Sequence, residues 1–403
     1  MTLNPPNNAD NYTTGTAPSA SNSAVFFKVQ SGFTNPATVN PVLALNAWDV
    51  NIRPAFIGEF SLTTEYQFSN TASFQIGYVG ESGQHLVNHN AANQLFSPCV
   101  INAVVSTSPT SAACVAADPS PFQALVQQSG SVTLTTSNAM MNYNALQTSF
   151  RQRLWHGLQY TANYTWSHAM TNSTGFYGVP SITAASAYAE NVYDMHSEYG
   201  PAGQDVRHAV NWNMVYDLPL GRGRKFGADM PLILEEIVGG WKVGMTGVAY
   251  SGFPVNINTG TNNSGVNGNS QRANHYRKLK IVNRTINNWF GTDPSAVPCT
   301  LAGVDNGICA YGQPAAGTFG TARPTSERAP NFQTYGASVT KDFTIWHEQQ
   351  INFRADVDNL FNSAFLGNPV GNIASASFGN IGGQATPVRS GPRQMQLSMR
   401  YHF

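Results

Sequence analysis

Along this chain, apolar and polar residues alternate one by one over stretches of strand length. Successive side chains of a β-strand leave opposite faces, so each stretch predicts a strand with one apolar and one polar face. The C-terminal segment carries the cleanest pattern. Met395, Leu397, Met399, Tyr401 and Phe403 alternate with Gln394, Gln396, Ser398, Arg400 and His402. Ile351, Phe353, Ala355 and Val357 alternate in the same way with Asn352, Arg354, Asp356 and Asp358. Leu158, Tyr160, Ala162, Tyr164 and Trp166 alternate with Gln159, Thr161, Asn163, Thr165 and Ser167. Val206, His208, Val210, Trp212, Met214, Tyr216 and Leu218 form a further row, and shorter rows start at Phe60, Ala72, Leu146, Trp241 and Tyr335. The rows predict nine strands, most near the ~9–11 residues a tilted membrane strand needs. Helical spacing is confined to residues 232–237.

A soluble β-sandwich also alternates, so the connections have to discriminate. Read back from the C-terminus, residues 361–392 are a long link, 344–349 short, 253–330 long and 219–238 moderate. Residues 169–204 are then long, 155–157 short, 81–142 long and 69–71 short. Long loops on one side with tight turns on the other are the asymmetry of outer-membrane barrels, and a sandwich has no reason to keep that parity. Tyr164, Trp166, Trp212, Tyr216, Trp241, Tyr250 and Tyr401 fall near predicted strand ends, where an aromatic ring suits the membrane–water interface. The expected fold is therefore all-β: an antiparallel transmembrane outer-membrane β-barrel over residues 56–403 with long extracellular loops and short periplasmic turns. Bacterial single-chain barrels have even strand numbers, and nine is odd. Pro36, Pro41 and Pro54 interrupt the weak alternation near residues 25–29 and 48–52, so residues 1–55 are expected to be an irregular extracellular segment. The expectation is a partial barrel, about nine or ten strands of a larger one. A polar N-terminus without the basic start and apolar core of a secretory signal agrees with it.

Composition narrows the function. Of the 403 residues only 10% are charged, and 21 Lys+Arg balance 21 Asp+Glu. That balance excludes an electrostatic nucleic-acid binder. Cys99/Cys114 and Cys299/Cys309 form two local pairs in Gly/Pro/Ser/Asn-rich stretches without His or Cys at ligand spacing. They are expected to be disulfides of an oxidising compartment rather than metal ligands.

Candidate chemistry is sparse. Asp205, Arg207 and His208 cluster, but His208 lies on an apolar row and no nucleophile stands in a turn that would expose it. His347 and Glu348 lack a second His at helical spacing. Residues 221–227 (GRGRKFG) are basic and glycine-rich but lack the strand–GxxxxGK[ST]–helix context of a phosphate loop, so they are expected to be a solvated turn. Asp356 pairs better with Arg354 in a wet lumen than with calcium, which needs more oxygens. Residues 256–274, with Tyr177, Tyr188 and Tyr193 of the neighbouring loop, suit sugar or peptide contact, although mobile decoration is the stronger expectation. No catalytic residue, cofactor or metal is expected.

Residues 65–68 (EYQF), 72–78 (ASFQIGY) and 79–86 (VGESGQHL) resemble the "SYVGSRGxHL" stretch of the Oar-like TonB-dependent transporter family. Residues 143–147 (YNALQ), 157–159 (GLQ) and 164–167 (YTWS) resemble its central hairpin. Residues 205–208 (DVRH), 218–223 (LPLGRG), 239–241 (GGW), 251–254 (SGFP) and 358–362 (DNLFN) match further boxes. Ala209 stands where the family carries a second basic residue. The resemblance covers roughly residues 30–403 and is specific in combination. It implies a barrel of about 22 strands, plugged by an N-terminal domain that the inner-membrane energy-coupling protein TonB pulls. Plug, coupling box and the other barrel strands are absent from these residues, so TonB would act only through that missing part. The resemblance also implies that Leu397, Met399, Tyr401 and Phe403 form the signal read by the barrel-assembly machinery. The expected function is solute uptake across the outer membrane, not catalysis; the alternative is a structural or adhesive surface protein.

Overall fold

The computed structural model describes residues 42–101, 104–106, 113, 121–122, 126–173, 189–260, 263–266, 271–346, 349–381 and 391–402. Cys114, Tyr177, Tyr188, His347, Glu348 and Phe403 lie outside the described residues. Ten main strands are present: β1 (Val42–Trp48), β2 (Phe56–Ser69), β3 (Ala72–Ala91), β4 (Val126–Trp155) and β5 (Leu158–Thr171). They continue as β6 (His208–Asp217), β7 (Lys242–Tyr250), β8 (Phe332–Trp346), β9 (Gln349–Asp358) and β10 (Gln394–His402). One short helix, α1 (Leu232–Val238), lies between β6 and β7.

β2 to β10 form an antiparallel meander in chain order. Each strand pairs with its sequence neighbours, and β2 and β10 are left as the two ends of an unclosed sheet. The register carries the sequence pattern across the whole sheet. Leu158, Tyr216, Val243, Val339, Ala355 and Leu397 follow one another over six strands. Tyr66, Phe74, Phe150, Ala162, Trp212, Gly247 and Tyr335 make a second apolar row over seven. Immediately beside it, on the other face, run Gln67, Ser73, Arg151, Thr161, Asn213 and Thr246. A slip by one residue in any strand would swap its faces, so matching rows fix the register.

The turns obey the expected parity. β4 and β5 are joined by His156 and Gly157, both at positive φ (48° and 83°), as a two-residue hairpin twisted to match its strands requires. β2 and β3 are joined by residues 70–71, and β8 ends and β9 begins at the same end of the sheet. The moderate link between β6 and β7 also lies there, and holds α1.

Three expectations need correction. Residues 81–142 are not a loop throughout, because β3 runs on to Ala91 and β4 starts at Val126. These extensions pair with each other through the bulges around Gly83, Leu86 and Asn88. Past the apolar rows, protein and water replace lipid as neighbours, so the alternation that marks a strand in sequence is no longer required there. Residues 1–55 are not wholly irregular either: β1 pairs in parallel with the start of β4, Trp48 opposite Thr135. Pro54 stands beyond this strand rather than within it. Finally, the described part of residues 256–274 is not loose decoration. Ile257, Thr259, Ser264, Val266, Gln271, Arg272 and Ala273 are all buried.

Among the described residues, the largest packed core is in the loops. Val255, Ile257, Leu279, Phe290, Tyr311, Ile373 and Ile381 cluster above the loop end, drawn from the β7–β8 and β9–β10 connections. Short ladders stiffen this cap: Pro254–Val255 with Glu327–Arg328, and Asn274–His275 with Tyr311–Gly312.

Candidate functional site

The functional surface is the sheet itself, whose two faces offer different solvents. On the apolar face Leu62, Met395, Leu397 and Met399 are each at least 70% exposed, and Phe60, Tyr66, Phe68 and Trp166 are also exposed. Bare rows of this extent in water would mark a contact surface for something apolar. Where a row meets a glycine, an aromatic ring covers it. Trp212 lies over Gly247, whose added Cβ would sit 2.4 Å from the indole Nε1, and Phe60 lies over Gly80. Trp212 is therefore mid-strand, correcting its expected place near a strand end: it fills the gap left by a missing side chain rather than marking the interface. Trp241 immediately precedes β7 at the short-turn end, and Tyr216 lies nearby opposite Leu158 and Val243. Tyr164 and Trp166 lie toward the loop end, where Trp166 faces His208 at the start of β6.

The opposite face is a ladder of amides, hydroxyls and paired charges. Asn163 Nδ2 donates to Asn211 Oδ1 at 2.8 Å, and Asn352 Nδ2 to Asp342 Oδ1 at 2.6 Å. Arg354 Nε donates to both oxygens of Asp356, at 2.9 and 2.8 Å. Such groups keep their hydrogen bonds next to water and would lose them in hydrocarbon.

Above the sheet, charged pins fasten the loops to one another and to the strands. Buried Arg272 pairs with Glu190 at 2.9 Å and with Glu198 at 2.7 Å. Glu190 Oε1 also accepts from the Arg272 and Gly320 backbone N–H groups. Gln94 Nε2 donates to the Glu190 carbonyl at 2.7 Å, so three connections meet at this point. Burial outweighs the guanidinium here and raises the Glu190 carboxyl from 4.5 to about 7. A second pin explains the DVRH motif. Buried Asp205 accepts from the Ala169 backbone N–H at 2.7 Å and pairs with the Arg328 guanidinium, which also donates to the Asp205 carbonyl. His168 Nδ1 is 3.4 Å away, and the adjacent Ser167 hydroxyl donates to the Val206 carbonyl. The cluster thus ties β5 to the approach of β6 and to the β7–β8 connection. Third, the Tyr311 hydroxyl donates to Glu327 Oε1 at 2.6 Å, and burial raises both acids.

Cys299 and Cys309 are disulfide-bonded, and Cys99 is also in a disulfide. Among the described residues, Cys299, Asp305 and Cys309 form a cluster of possible metal ligands. Its sulfurs are bonded to each other, and Asp305 is held by both of its oxygens on Arg277, so this set offers no cation site. Sequence reasoning singled out Asp205 but not its Arg328 partner, and it missed the Arg272 and Tyr311 pins and Lys341. Only Lys341 left a sequence signal, a charge inside an apolar row.

Nine strands in a meander, one face for lipid and one for water, with long loops at one end, define an outer-membrane β-barrel wall. The chain belongs to the outer membrane beta barrel domain family, whose model matches residues 1–396. Its place is the cell outer membrane. No curated protein matches the sequence. Among solved structures, the chain is similar to the outer membrane transporter YddB from Escherichia coli (8% identity, TM-score 0.36, covering 78% of this chain and 29% of that one). It is also similar to the ferric citrate transporter FecA (13%, 0.34, 85% and 30%) and the FrpB iron transporter from Neisseria meningitidis (8%, 0.35, 88% and 32%). The chain spans less than a third of the length of each of these three.

Proposed function

We propose that this chain is the C-terminal barrel portion of an Oar-like TonB-dependent transporter and that it serves solute uptake. The observation that carries the reading is a wall of nine antiparallel strands with continuous apolar and polar faces and, among the described residues, two unpaired ends. An open sheet edge leaves backbone groups unsatisfied in hydrocarbon, so a functional barrel needs further strands between β10 and β2. On this reading those strands, the plug and the TonB-binding segment come from outside these residues, and this portion alone does not perform energised transport. The short turns face the periplasm and the packed loops face the medium, as the parity rule for such barrels supports. Residues 56–403 are then the barrel portion, and 1–55 an external segment that includes β1. β10 presents Leu397, Met399 and Tyr401 along a free edge, the form in which a strand adds to another sheet, which suits recognition by the barrel-assembly machinery.

The test is to isolate outer membranes from the producing cell and characterise the polypeptide that carries residues 256–274. The expected result is a product longer than 403 residues, containing a plug, with heat-modifiable migration. Its deletion should abolish an uptake that needs the proton-motive force. A 403-residue surface protein whose loss changes adhesion but no uptake would overturn the proposal in favour of the adhesive alternative.

A further inference from the structure

Lys341 breaks the rule that the outer rows are apolar. It follows Tyr335, Ala337 and Val339 on the same face of β8, opposite Phe353, which in turn faces Met399. An ammonium there would face hydrocarbon, yet its residue is only 3% exposed. The cover is α1. Lys341 Nζ donates to the carbonyls of Glu236 and Gly239 at the helix C-terminus, and to that of Glu235, which also accepts the Gly239 N–H. The rings of Trp241 and Phe343 flank the same ammonium at 5.6 and 4.9 Å. Trp241 Nε1 donates to the Ile237 carbonyl at 2.9 Å and its ring meets Phe353 edge-on. These contacts seat the helix on the apolar side of the sheet, at the short-turn end.

α1 itself is too greasy for an aqueous turn. Of its seven residues five are apolar, none is buried, and Ile233 is 79% exposed. At 100° per residue, Ile233, Ile237, Leu234 and Val238 span an arc of about 140°, while Glu235 and Glu236 point the other way with exposed Leu232 between them. The turn that leads into the helix carries exposed Arg222, Arg224 and Lys225. An apolar arc, a back that carries both glutamates and neighbouring cations describe a helix that lies in a membrane surface.

We propose that α1 is an interfacial helix, seated outside the barrel wall at the boundary of headgroups and acyl chains on the short-turn side. Ile233 and Ile237 enter the acyl region, and phospholipid is the occupant of the apolar arc. Lys341 is the positioning residue that holds the helix against the wall. The inference rests on the assignment of the apolar rows to lipid and extends it to a segment outside the strands.

The test places an environment-sensitive fluorophore on Ile233→Cys, and separately on Leu397→Cys, in the complete barrel that carries these residues, folded into phosphatidylcholine–phosphatidylglycerol vesicles. Lipids with nitroxides near the headgroup or near the chain end serve as membrane quenchers, and iodide as the aqueous one. The expected result is severalfold stronger quenching at Ile233 by the shallow nitroxide than by the deep one or by iodide, with Leu397 also quenched from lipid. Quenching at Ile233 by iodide alone, with Leu397 still lipid-quenched, would overturn the helix assignment and leave the wall intact. Shielding of Ile233 from all quenchers would mean a protein cover and overturn it too. Loss of lipid quenching at both positions would remove the lipid face itself, and the helix proposal with it.

Discussion

Met245 and Thr246 are consecutive residues at the centre of β7, and the account assigns them opposite solvents. Met245 stands between Met214 and Ala337, in a row that continues through Tyr160, Val357 and Met395. Thr246 stands between Asn213 and Gly336 on the other face. An arginine on the lipid face of a membrane barrel costs about 2–4 kcal/mol near the bilayer midplane. At about 1.4 kcal/mol per tenfold, Met245→Arg should reduce the folding equilibrium constant by roughly 30-fold to 1,000-fold. Thr246→Arg puts the same charge into a wet, polar row and should cost within about 0.5 kcal/mol, as surface changes do. Denaturant unfolding of the complete barrel that carries these residues, folded in lipid vesicles and followed by tryptophan fluorescence, reads both. Equal costs, or a greater cost for Thr246→Arg, would refute the assignment of faces.

Three further outcomes follow from the loops and turns. Asp205→Asn removes a charge-assisted partner of Arg328 and should weaken the loop attachment by about 1.5–3 kcal/mol, seen as faster hydrogen exchange at Ala169 and in residues 251–331 with the rest of the sheet unaffected. Glu190 has a folded-state pKa of about 7 against 4.5 in its ordinary state, so the protonated form favours the folded junction. Its stabilisation is full below about pH 4.5 and is lost as pH rises through about 7. Hydrogen exchange in the loop cap should accordingly be slower at the acid end of that window, and Glu190→Gln should flatten the dependence. Gly157→Ala forces a side chain to positive φ, with its Cβ 2.9 Å from the Asp217 carbonyl oxygen, and should cost about 1–2 kcal/mol of unfolding free energy.

The strands were legible because lipid imposes a rule on every second residue. Met395, Leu397 and Met399 must be apolar whatever their partners, so a single sequence reveals both the strand and its faces. The same logic accounts for what was missed. β3 and β4 continue past the lipid through residues such as Asn88, Asn90, Thr135 and Thr136, which are buried among protein and need no alternation. The loop core draws on Ile257, Phe290, Tyr311 and Ile381, held together by tertiary contacts that no periodicity announces. Arg272 finds Glu190 and Glu198 more than seventy residues away, which a linear reading has no means to pair. Lys341 left a trace, a lone charge in an apolar row, whose meaning appeared only with the helix that covers it.

The central claim is that one face of this sheet contacts lipid while the other contacts water. A nitroxide scan along β10, one position at a time from Met395 to Arg400 in lipid vesicles, tests it most directly. Collision with oxygen, which concentrates in hydrocarbon, should peak at Met395, Leu397 and Met399. Collision with a water-soluble nickel chelate should peak at Gln396, Ser398 and Arg400. Two-residue periodicity with those phases is the predicted result, and a flat profile or the opposite phase would contradict the account.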